Sequence, residues 1–477
     1  MTNSEHHVTA PEDRIGFGQK LAYGLGMLAN NVQAAAVGAM GIILNLGLGM
    51  NPALVGILGS IPRFVDALTD PVMGYVSDNA RTRFGRRRPF IFTGAILAGI
   101  MFIVMWQLYP GRSERFYFWL FMATSNLFFV AYTIYVTPLI ALGYELTPDY
   151  HERTRLMGFS NFLGQFAWLA APWFYRFTEN KNLFENPVQG ARTLAIIIGV
   201  FIAVFGVIPA IFTRERFAGG PPDREGLWSN VKKFFRGFYV TWKSGPFVLL
   251  CFATFLVFNG YMLGSTFTPY AMIYYVFGGN REMGGTLMGW FGTLSSICTF
   301  FIIMLTAWIS TKIGKRRTFF IMISLSIVGF ALKWFCYNTE KPYLLLVSAP
   351  FIACGIGSLF TVVGAMVADV CDLDELKTGE RREGMYGAVY WWMVKLGMSV
   401  AMFVAGLLLN KTGFDVSLDK VSLPQAERTL FLLRAFDVGI PLITSAIAIL
   451  LVMSYSITEK RAYEIRAELE KRRGKAT

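Results

Sequence analysis

Apolar residues dominate this chain in runs of membrane-spanning length, separated by short polar stretches. A helix of about 20 mostly apolar residues crosses a hydrocarbon core of about 30 Å. Runs of that kind predict spans near 20–46, 53–77, 89–108, 117–143, 157–178 and 191–213 in the first half of the chain. A second series falls near 246–276, 284–310, 318–337, 343–369, 385–409 and 429–457. The predicted fold is an all-α polytopic membrane protein with twelve transmembrane helices, which puts both termini on one side of the bilayer.

Composition sharpens that picture. Hydrophobic residues make up 54% of the 477 and charged residues only 16%, against roughly 25% charged for a soluble domain. The net charge of +13 would suit a nucleic-acid binder, but the basic residues cluster in short loops, which excludes that class. Arg81, Arg83, Arg86, Arg87 and Arg88 follow span two, Lys312, Lys315, Arg316 and Arg317 follow span eight, and a basic run from Lys460 to Lys475 closes the chain. All fall on the amino-terminal side, which the positive-inside rule makes cytoplasmic. The opposite loop 179–190 carries one Lys against two Glu. The first sixteen residues lack the basic leader and apolar core of a signal peptide, so a retained cytoplasmic amino terminus is expected. The five cysteines form no CxxC pair and read as small packing residues.

Two internal echoes point to a duplicated architecture. GYVSDNARTRFGRRRPFI after span two is echoed by AWISTKIGKRRTFFI after span eight, and YELTPDYHERTRLMG after span four by DELKTGERREGMYG after span ten. Parallel repeats of this kind place a substrate site between the two halves. The expected organisation is a tail over 1–16, a six-helix bundle over 17–213, a linker over 214–244, a second six-helix bundle over 245–457 and a basic tail over 458–477. Within the linker, Lys232, Lys233 and Arg236 are interleaved with Trp228, Phe234 and Phe235. An interfacial helix resting on anionic lipid headgroups is the expected form, with a regulatory contact as the alternative.

Charges inside the spans carry the chemistry. Span two reads ALVGILGSIPRFVDALTDPVMGYVSDN, and ionisable residues at this depth cost roughly 2.5–3.5 kcal/mol each on insertion scales. Arg63, Asp66 and Asp70 lie within roughly 60° of one helix face at 3.6 residues per turn. Two carboxylates about 6 Å apart repel by roughly 3 kcal/mol at an effective dielectric near 20. Arg63 offsets one of them, leaving room for one more positive charge, Na+ or H+. Thr69 and Thr133 offer oxygens to such a hard cation. The three histidines, His6, His7 and His151, all lie outside the spans, so a proton route would run through carboxylates. A static Arg63–Asp pair bracing the helices is the plainer alternative. Lys395, at mid-depth in span eleven, is expected to face the carboxylates and to couple ion binding to conformation. Lys333, Arg434 and Asp437 lie nearer the outer interface, where pairing or snorkelling accounts for them.

From PRFVDALTDPVMGYVSDNARTRFGRRRPF through VTPLIALGYELTPDYHERTRLMG and MVADVCDLDELKTGERREGMYG to MVKLG, the chain resembles the glycoside-pentoside-hexuronide:cation symporter family, the melibiose-permease-like branch of the major facilitator superfamily. The resemblance covers nearly the whole chain. It implies two six-helix bundles in a bacterial inner membrane and uptake of a sugar or glycoside with Na+, H+ or Li+, a monomer being the expected working unit and no cofactor being needed. It implies cation binding at Asp66 and Asp70 with a hydroxyl ligand from Thr133, and matches Lys395 to the family's span-eleven lysine. Thr69 stands where melibiose permease has Asn. The sugar site departs further: Asn30 and Asn31 replace a Lys-Asp pair, Val136 and Ile140 stand at its acidic and Trp positions, and Asn161 replaces an Arg. Asn31, Tyr132, Asn161, Gln165, Tyr390 and Trp391 form the remaining candidate substrate set, suited to a neutral glycoside or a more apolar molecule. A lysolipid, or the cargo of a proton-coupled sucrose-type carrier, is the alternative substrate. A membrane-embedded enzyme would need a nucleophile, metal cluster or donor-binding loop, and the sequence offers no His/Cys cluster or paired loop acid for one.

Overall fold

In the computed structural model, the described residues are 11–215, 227–379, 382–420 and 423–472. Parts of the expected tails, of the linker and, at Glu380 and Arg381, of the second echo lie outside them. Each apolar run is helical. The helices are α1 (Phe17–Met40), α2 (Pro52–Asn79), α3 (Arg88–Trp106), α4 (Glu114–Glu145), α5 (Tyr150–Ala170) and α6 (Pro187–Phe212). The second series is α7 (Gly245–Tyr270), α8 (Arg281–Ile313), α9 (Lys315–Cys336), α10 (Ala349–Thr378), α11 (Glu383–Lys411) and α12 (Glu427–Met453). Local chemistry sets several starts: Ser113, Asp149, Asn186 and Asn280 each accept a hydrogen bond from the backbone N–H three residues on, satisfying a donor the helix leaves open. Past Pro269, α7 runs into a π-helical turn, Ala271–Val276.

Eleven helical stretches among the described residues are long and apolar enough to cross a membrane. The stretch around α5 is not one of them, because the polar start HERTR and then Ser160, Asn161 and Gln165 dilute its apolar run. The segment expected as a linker contains a helix, Leu227–Trp242.

The helices group into two compact units. The first takes the described residues up to Ile43 and Val65–Asn230, and the second takes Leu44–Phe64 and the described residues from Val231 onward. The division passes through α2 between Phe64 and Val65, so Arg63 groups with one unit and Asp66 with the other.

The pairing inside each unit repeats. In the first, α1 packs on α5 and α6, and α3 packs on α4 and α6; in the second, α7 packs on α11 and α12, and α9 on α10 and α12. The offset of six helices matches the echoes seen in the sequence, and the basic cluster of each half pairs with carboxylates. Arg87 pairs with Glu145 at 2.6 Å and with Asp78 at 2.8 Å, while Lys315 pairs with Asp369 at 2.6 Å. Glu215 accepts the backbone N–H groups of Arg86, Arg87 and Arg88 at 2.7–2.9 Å, an anion at the positive end of α3. Gly85 and Gly314 both have positive φ, +110° and +83°. A Cβ at Gly85 would sit 2.7 Å from Glu215 Oε1, and one at Gly314 would sit 2.6 Å from Glu459 Oε2. Both the backbone and the close carboxylate therefore demand glycine.

Ahead of α1, the Ile15 N–H donates to Glu152 Oε1 at 3.0 Å, and Lys20 Nζ meets the same oxygen at 2.7 Å. Burial alone would push the Glu152 carboxyl up, but these hydrogen bonds and the Lys20 charge outweigh it and hold its pKa below the ordinary glutamate value.

Candidate functional site

Asp66 is fully buried on α2, and Thr133 Oγ1 of α4 donates to its Oδ1 at 2.9 Å. One turn further along α2, Asp70 Oδ1 accepts from Thr137 Oγ1 at 3.2 Å. Threonines four apart on α4 thus meet aspartates four apart on α2, the register that the helical repeat gives two helices lying side by side. Thr69 completes the group. Its Oγ1 lies 3.1 Å from Thr133 Oγ1 and 3.1 Å from the carbonyl oxygens of both Val65 and Asp66.

The proton inventory of this cluster is short. Each threonine hydroxyl carries one proton and each ionised carboxylate carries none. Thr133 commits its proton to Asp66, so in the Thr69–Thr133 bond Thr69 is the donor, and that same proton is also within reach of two backbone carbonyls. Hydroxyl and carboxylate oxygens gathered in this way are the kind of donor set a hard monovalent cation takes. The sequence pointed to Asp66, Thr69, Asp70 and Thr133, and all four come together here. Thr137 was missed, although the Thr-x-x-x-Thr spacing in YTIYVTP was its signal. Among the described residues no group of three or more His, Cys, Asp or Glu side chains is arranged to hold a metal ion, so any ion here would rely on hydroxyls as well as carboxylates.

Arg63 is buried on the neighbouring turn of α2, but in the other unit. Lys395 is half-buried on α11 of that second unit.

The substrate candidates divide in the same way. In the first unit Tyr132 donates to Asn30 Oδ1 at 3.0 Å, and Trp168 Nε1 donates to Asn31 Oδ1 at 3.2 Å. Asn31 also lies against Gly164, where a Cβ would come within 2.6 Å of its amide nitrogen. Tyr132 with Asn30, and Trp168 with Asn31, thus form two polar pairs, and Trp168 is a residue the sequence does not single out. Asn161 is exposed and Gln165 is half-buried, both on α5.

In the second unit Tyr390 and Trp391 point to different faces of α11, as adjacent helical residues must. Tyr390 is buried, and its OH shares a hydrogen bond of 3.2 Å with Thr254 Oγ1 on α7. Trp391 stacks on Phe360 of α10, with ring centres 5.4 Å apart. Behind Tyr390 runs a narrow crevice between α7 and α11, lined by Cys251, Thr254, Phe255, Phe258, Asn259, Tyr390, Met393 and Val394.

The second unit also contains a closed ionic cluster. Lys333 Nζ donates to Asp437 Oδ1 at 2.8 Å and to Thr268 Oγ1 at 2.9 Å. Thr268 donates to the same carboxylate oxygen, and Tyr337 donates to Oδ2. Lys333 is 3% exposed and Asp437 0%, so pairing rather than snorkelling accounts for them. Arg434 packs its guanidinium over Tyr275 and Trp334, at 4.0 and 4.4 Å from the ring centres, a cation–π arrangement.

Comparison with known proteins agrees with this architecture. Residues 22–459 match the family described as MFS/sugar transport protein. The chain is 24% identical over 539 residues to an uncharacterized symporter of Synechocystis sp., covering 96% of this chain and 98% of the relative. It is 22% identical over 467 residues to the isoprimeverose transporter of Lactiplantibacillus pentosus, covering 97% and 93%. Its fold is similar to the crystal structure of a D-xylose-proton symporter, with a TM-score of 0.64 at 14% identity over 94% of this chain and 99% of the other.

Proposed function

The chain belongs to the MFS/sugar transport protein family, a multi-pass membrane transporter family, and on that premise we propose that it is a secondary active symporter. In this reading it couples the inward movement of Na+ or H+ to uptake of a sugar or glycoside. The observation that carries the proposal is the acceptor-rich cluster of Asp66, Thr69, Asp70, Thr133 and Thr137. A relative named as a symporter and another named as an isoprimeverose transporter support the two halves of the reading, coupling and cargo.

The chemistry follows from the cluster. A bare carboxylate pair is repulsive, and a monovalent cation or a proton between Asp66 and Asp70 relieves that repulsion. The Thr133 and Thr69 hydroxyls turn their lone pairs to a metal ion, or leave the carboxylate to a proton. Arg63 offsets part of the remaining negative charge from the adjacent turn of α2, and Lys395 takes the second coupling role, as the resemblance to the cation symporters implies. Asn31, Tyr132, Asn161, Gln165, Tyr390 and Trp391 are proposed to hold the substrate through amide and hydroxyl hydrogen bonds and ring contacts. One cation moving down 100 mV supplies about 2.3 kcal/mol, enough for roughly fifty-fold accumulation.

The proposal extends to the frame: twelve spans including α5, two six-helix bundles over 17–213 and 245–457, cytoplasmic termini, a bacterial inner membrane and a monomeric working unit. The decisive experiment is uptake of a radiolabelled glycoside panel into proteoliposomes under an imposed Na+ or proton gradient, with Asp66→Asn and Asp70→Asn as controls. Gradient-driven uptake that both substitutions abolish is expected. Uptake that neither substitution affects would remove the coupling assignment. Uptake of a lysolipid and of no glycoside would keep the transporter and replace the cargo.

A further inference from the structure

The helix over Leu227–Trp242 supplies none of the ion or substrate candidates. Between Leu227 and Lys243 the chain carries four basic residues and no acidic one. The two sides of this helix differ sharply. On one side Gly237 is buried against Met385 of α11, and Phe238 packs edge-on against Trp392 of α11 with ring centres 5.4 Å apart. Trp242 stacks on Phe238 and meets Phe252 of α7 at 6.0 Å. Met385 and Trp392 lie in the first three turns of α11, and Phe252 lies in the first three of α7. Both helices are long and apolar enough to cross a membrane. The aromatic seam therefore holds the helix across the starts of two spans, the depth at which lipid headgroups begin.

The other side is cationic and open. Lys232, Arg236 and Tyr239 lie within roughly 60° of one line along the helix, and all three are exposed. The exposed Lys243 closes the row, its ammonium 4.5 Å from the Tyr239 ring centre. Among the described residues no carboxylate pairs with Lys232, Arg236 or Lys243. Basic groups elsewhere are answered from within the fold, Arg87 by Glu145 and Lys315 by Asp369. The helix Glu459–Arg472 mixes five basic residues with four acidic ones.

We propose that this open face is a binding surface for anionic phospholipid headgroups, with the phosphates of phosphatidylglycerol-type lipids seated on Lys232, Arg236 and Lys243 beside the Tyr239 ring. Nothing in it depends on which sugar or ion is carried. An ammonium or guanidinium gives a phosphate charge-assisted hydrogen bonds, and each such cation at an anionic surface contributes about fivefold in affinity. A zwitterionic headgroup brings its own ammonium, which cancels most of that gain. A soluble acidic protein would match the charge as well, but the seam against α7 and α11 keeps the cationic row at the membrane surface, where lipid phosphate is the abundant anion.

The test uses the purified full-length protein in detergent, titrated with phosphatidylglycerol, phosphatidylcholine or inorganic phosphate and read by thermal midpoint and by native mass spectrometry. Phosphatidylglycerol should raise the midpoint and stay bound in the mass spectrum, and phosphatidylcholine should need at least about tenfold more lipid for the same shift. In the triple variant Lys232→Gln, Arg236→Gln, Lys243→Gln the phosphatidylglycerol titration should move at least about tenfold to higher lipid. Lys460→Gln, Arg461→Gln, Lys471→Gln removes as many exposed charges from the helix Glu459–Arg472 and should move it less than about twofold. In about 0.5 M NaCl the wild-type preference for phosphatidylglycerol should shrink, a reading that serves should the first variant not fold. Equal titrations of wild type and first variant would overturn the proposal, as would equal affinity for phosphatidylcholine or a preference indifferent to salt. Saturation by inorganic phosphate at the lipid's concentration would overturn it in favour of a free anion. Symport is untouched by each of these outcomes, because uptake under an imposed gradient tests it separately.

Discussion

Each unit holds a carboxylate cluster, and the two differ in the hydroxyl and ammonium groups that meet the carboxylates. Asp437 in the second unit accepts from an ammonium, a threonine and a tyrosine, so its charge is matched by Lys333 and its oxygens are filled. Asp66 and Asp70 in the first unit sit on one helix four residues apart and are met from α4 by threonine hydroxyls. A hydroxyl orients a carboxylate without cancelling its charge, and it can turn its lone pairs outward to share a cation, whereas an ammonium already occupies the position a cation would take. On the proposed coupling role, the threonine-met carboxylates of the first unit would exchange with a mobile ion, whereas the lysine-paired carboxylate of the second unit is permanent. Burial alone therefore does not separate a working charge from a structural one. The chemistry of the partner does.

The largest expected effect breaks that comparison outright. Asp66→Asn should reduce gradient-driven uptake at least about a hundredfold, a transition-state or coupling loss near 2.7 kcal/mol, while leaving the purified protein folded by size-exclusion chromatography. Asp437→Asn should do the reverse, and the distinction between the clusters collapses if both variants lose uptake and keep stability. Next in size is Lys333→Met, which strands a buried carboxylate. Breaking such a pair costs about 3–5 kcal/mol, read as a fall in the thermal midpoint in detergent. The double change Lys333→Met with Asp437→Leu should recover most of that stability, and failure to recover would mean that the pair does more than brace helices.

Thr133→Val sharpens the first cluster. Losing the hydroxyl from a buried carboxylate should weaken cation binding by about 1–3 kcal/mol, five-fold to more than a hundredfold in an ion-titrated thermal shift. Thr137→Val should cost less, within about tenfold, because its bond to Asp70 is longer and the carboxylate less buried. An unchanged ion titration in Thr133→Val would exclude its hydroxyl as a ligand.

The smallest effect belongs to Glu152, outside both clusters. Its depressed folded-state pKa contributes stability that is present above the unfolded glutamate pKa of about 4.3 and is lost as pH falls through the folded value. Glu152→Gln should therefore lower stability slightly at pH 7, by under about 1 kcal/mol, and flatten the wild-type decline below about pH 4. An unchanged decline in the variant would place the acid sensitivity elsewhere.

Much of the candidate site is legible in the sequence. Asp66 and Asp70 announce themselves because a charge in an apolar helix needs a reason, and Thr69 and Thr133 stand out as oxygens within the spans, the resemblance adding to the case for Thr133. Thr137 was passed over, since a threonine inside an apolar helix ordinarily returns its hydroxyl to its own backbone, as Thr254 does here with Leu250. Only the helix that packs opposite reveals which threonines turn outward. The seat of the helix over Leu227–Trp242 was invisible for the same reason: Phe238 rests on Trp392, far along the chain. Lys333 and Asp437 were noticed as charges, but their separation by 104 positions concealed that they belong to each other.

The sequence by itself determined the helical runs, the six-helix offset that relates the two halves, the clustering of basic residues in short loops and the carboxylate pair on α2. These are all local or periodic properties, fixed by hydrophobicity and by the helical repeat. Tertiary structure decided which hydroxyls face the carboxylates, which charges cancel one another and which side of the helix over Leu227–Trp242 is left open. Those depend on contacts between helices far apart in the chain, and no pattern along one strand of sequence encodes the distance between two helices.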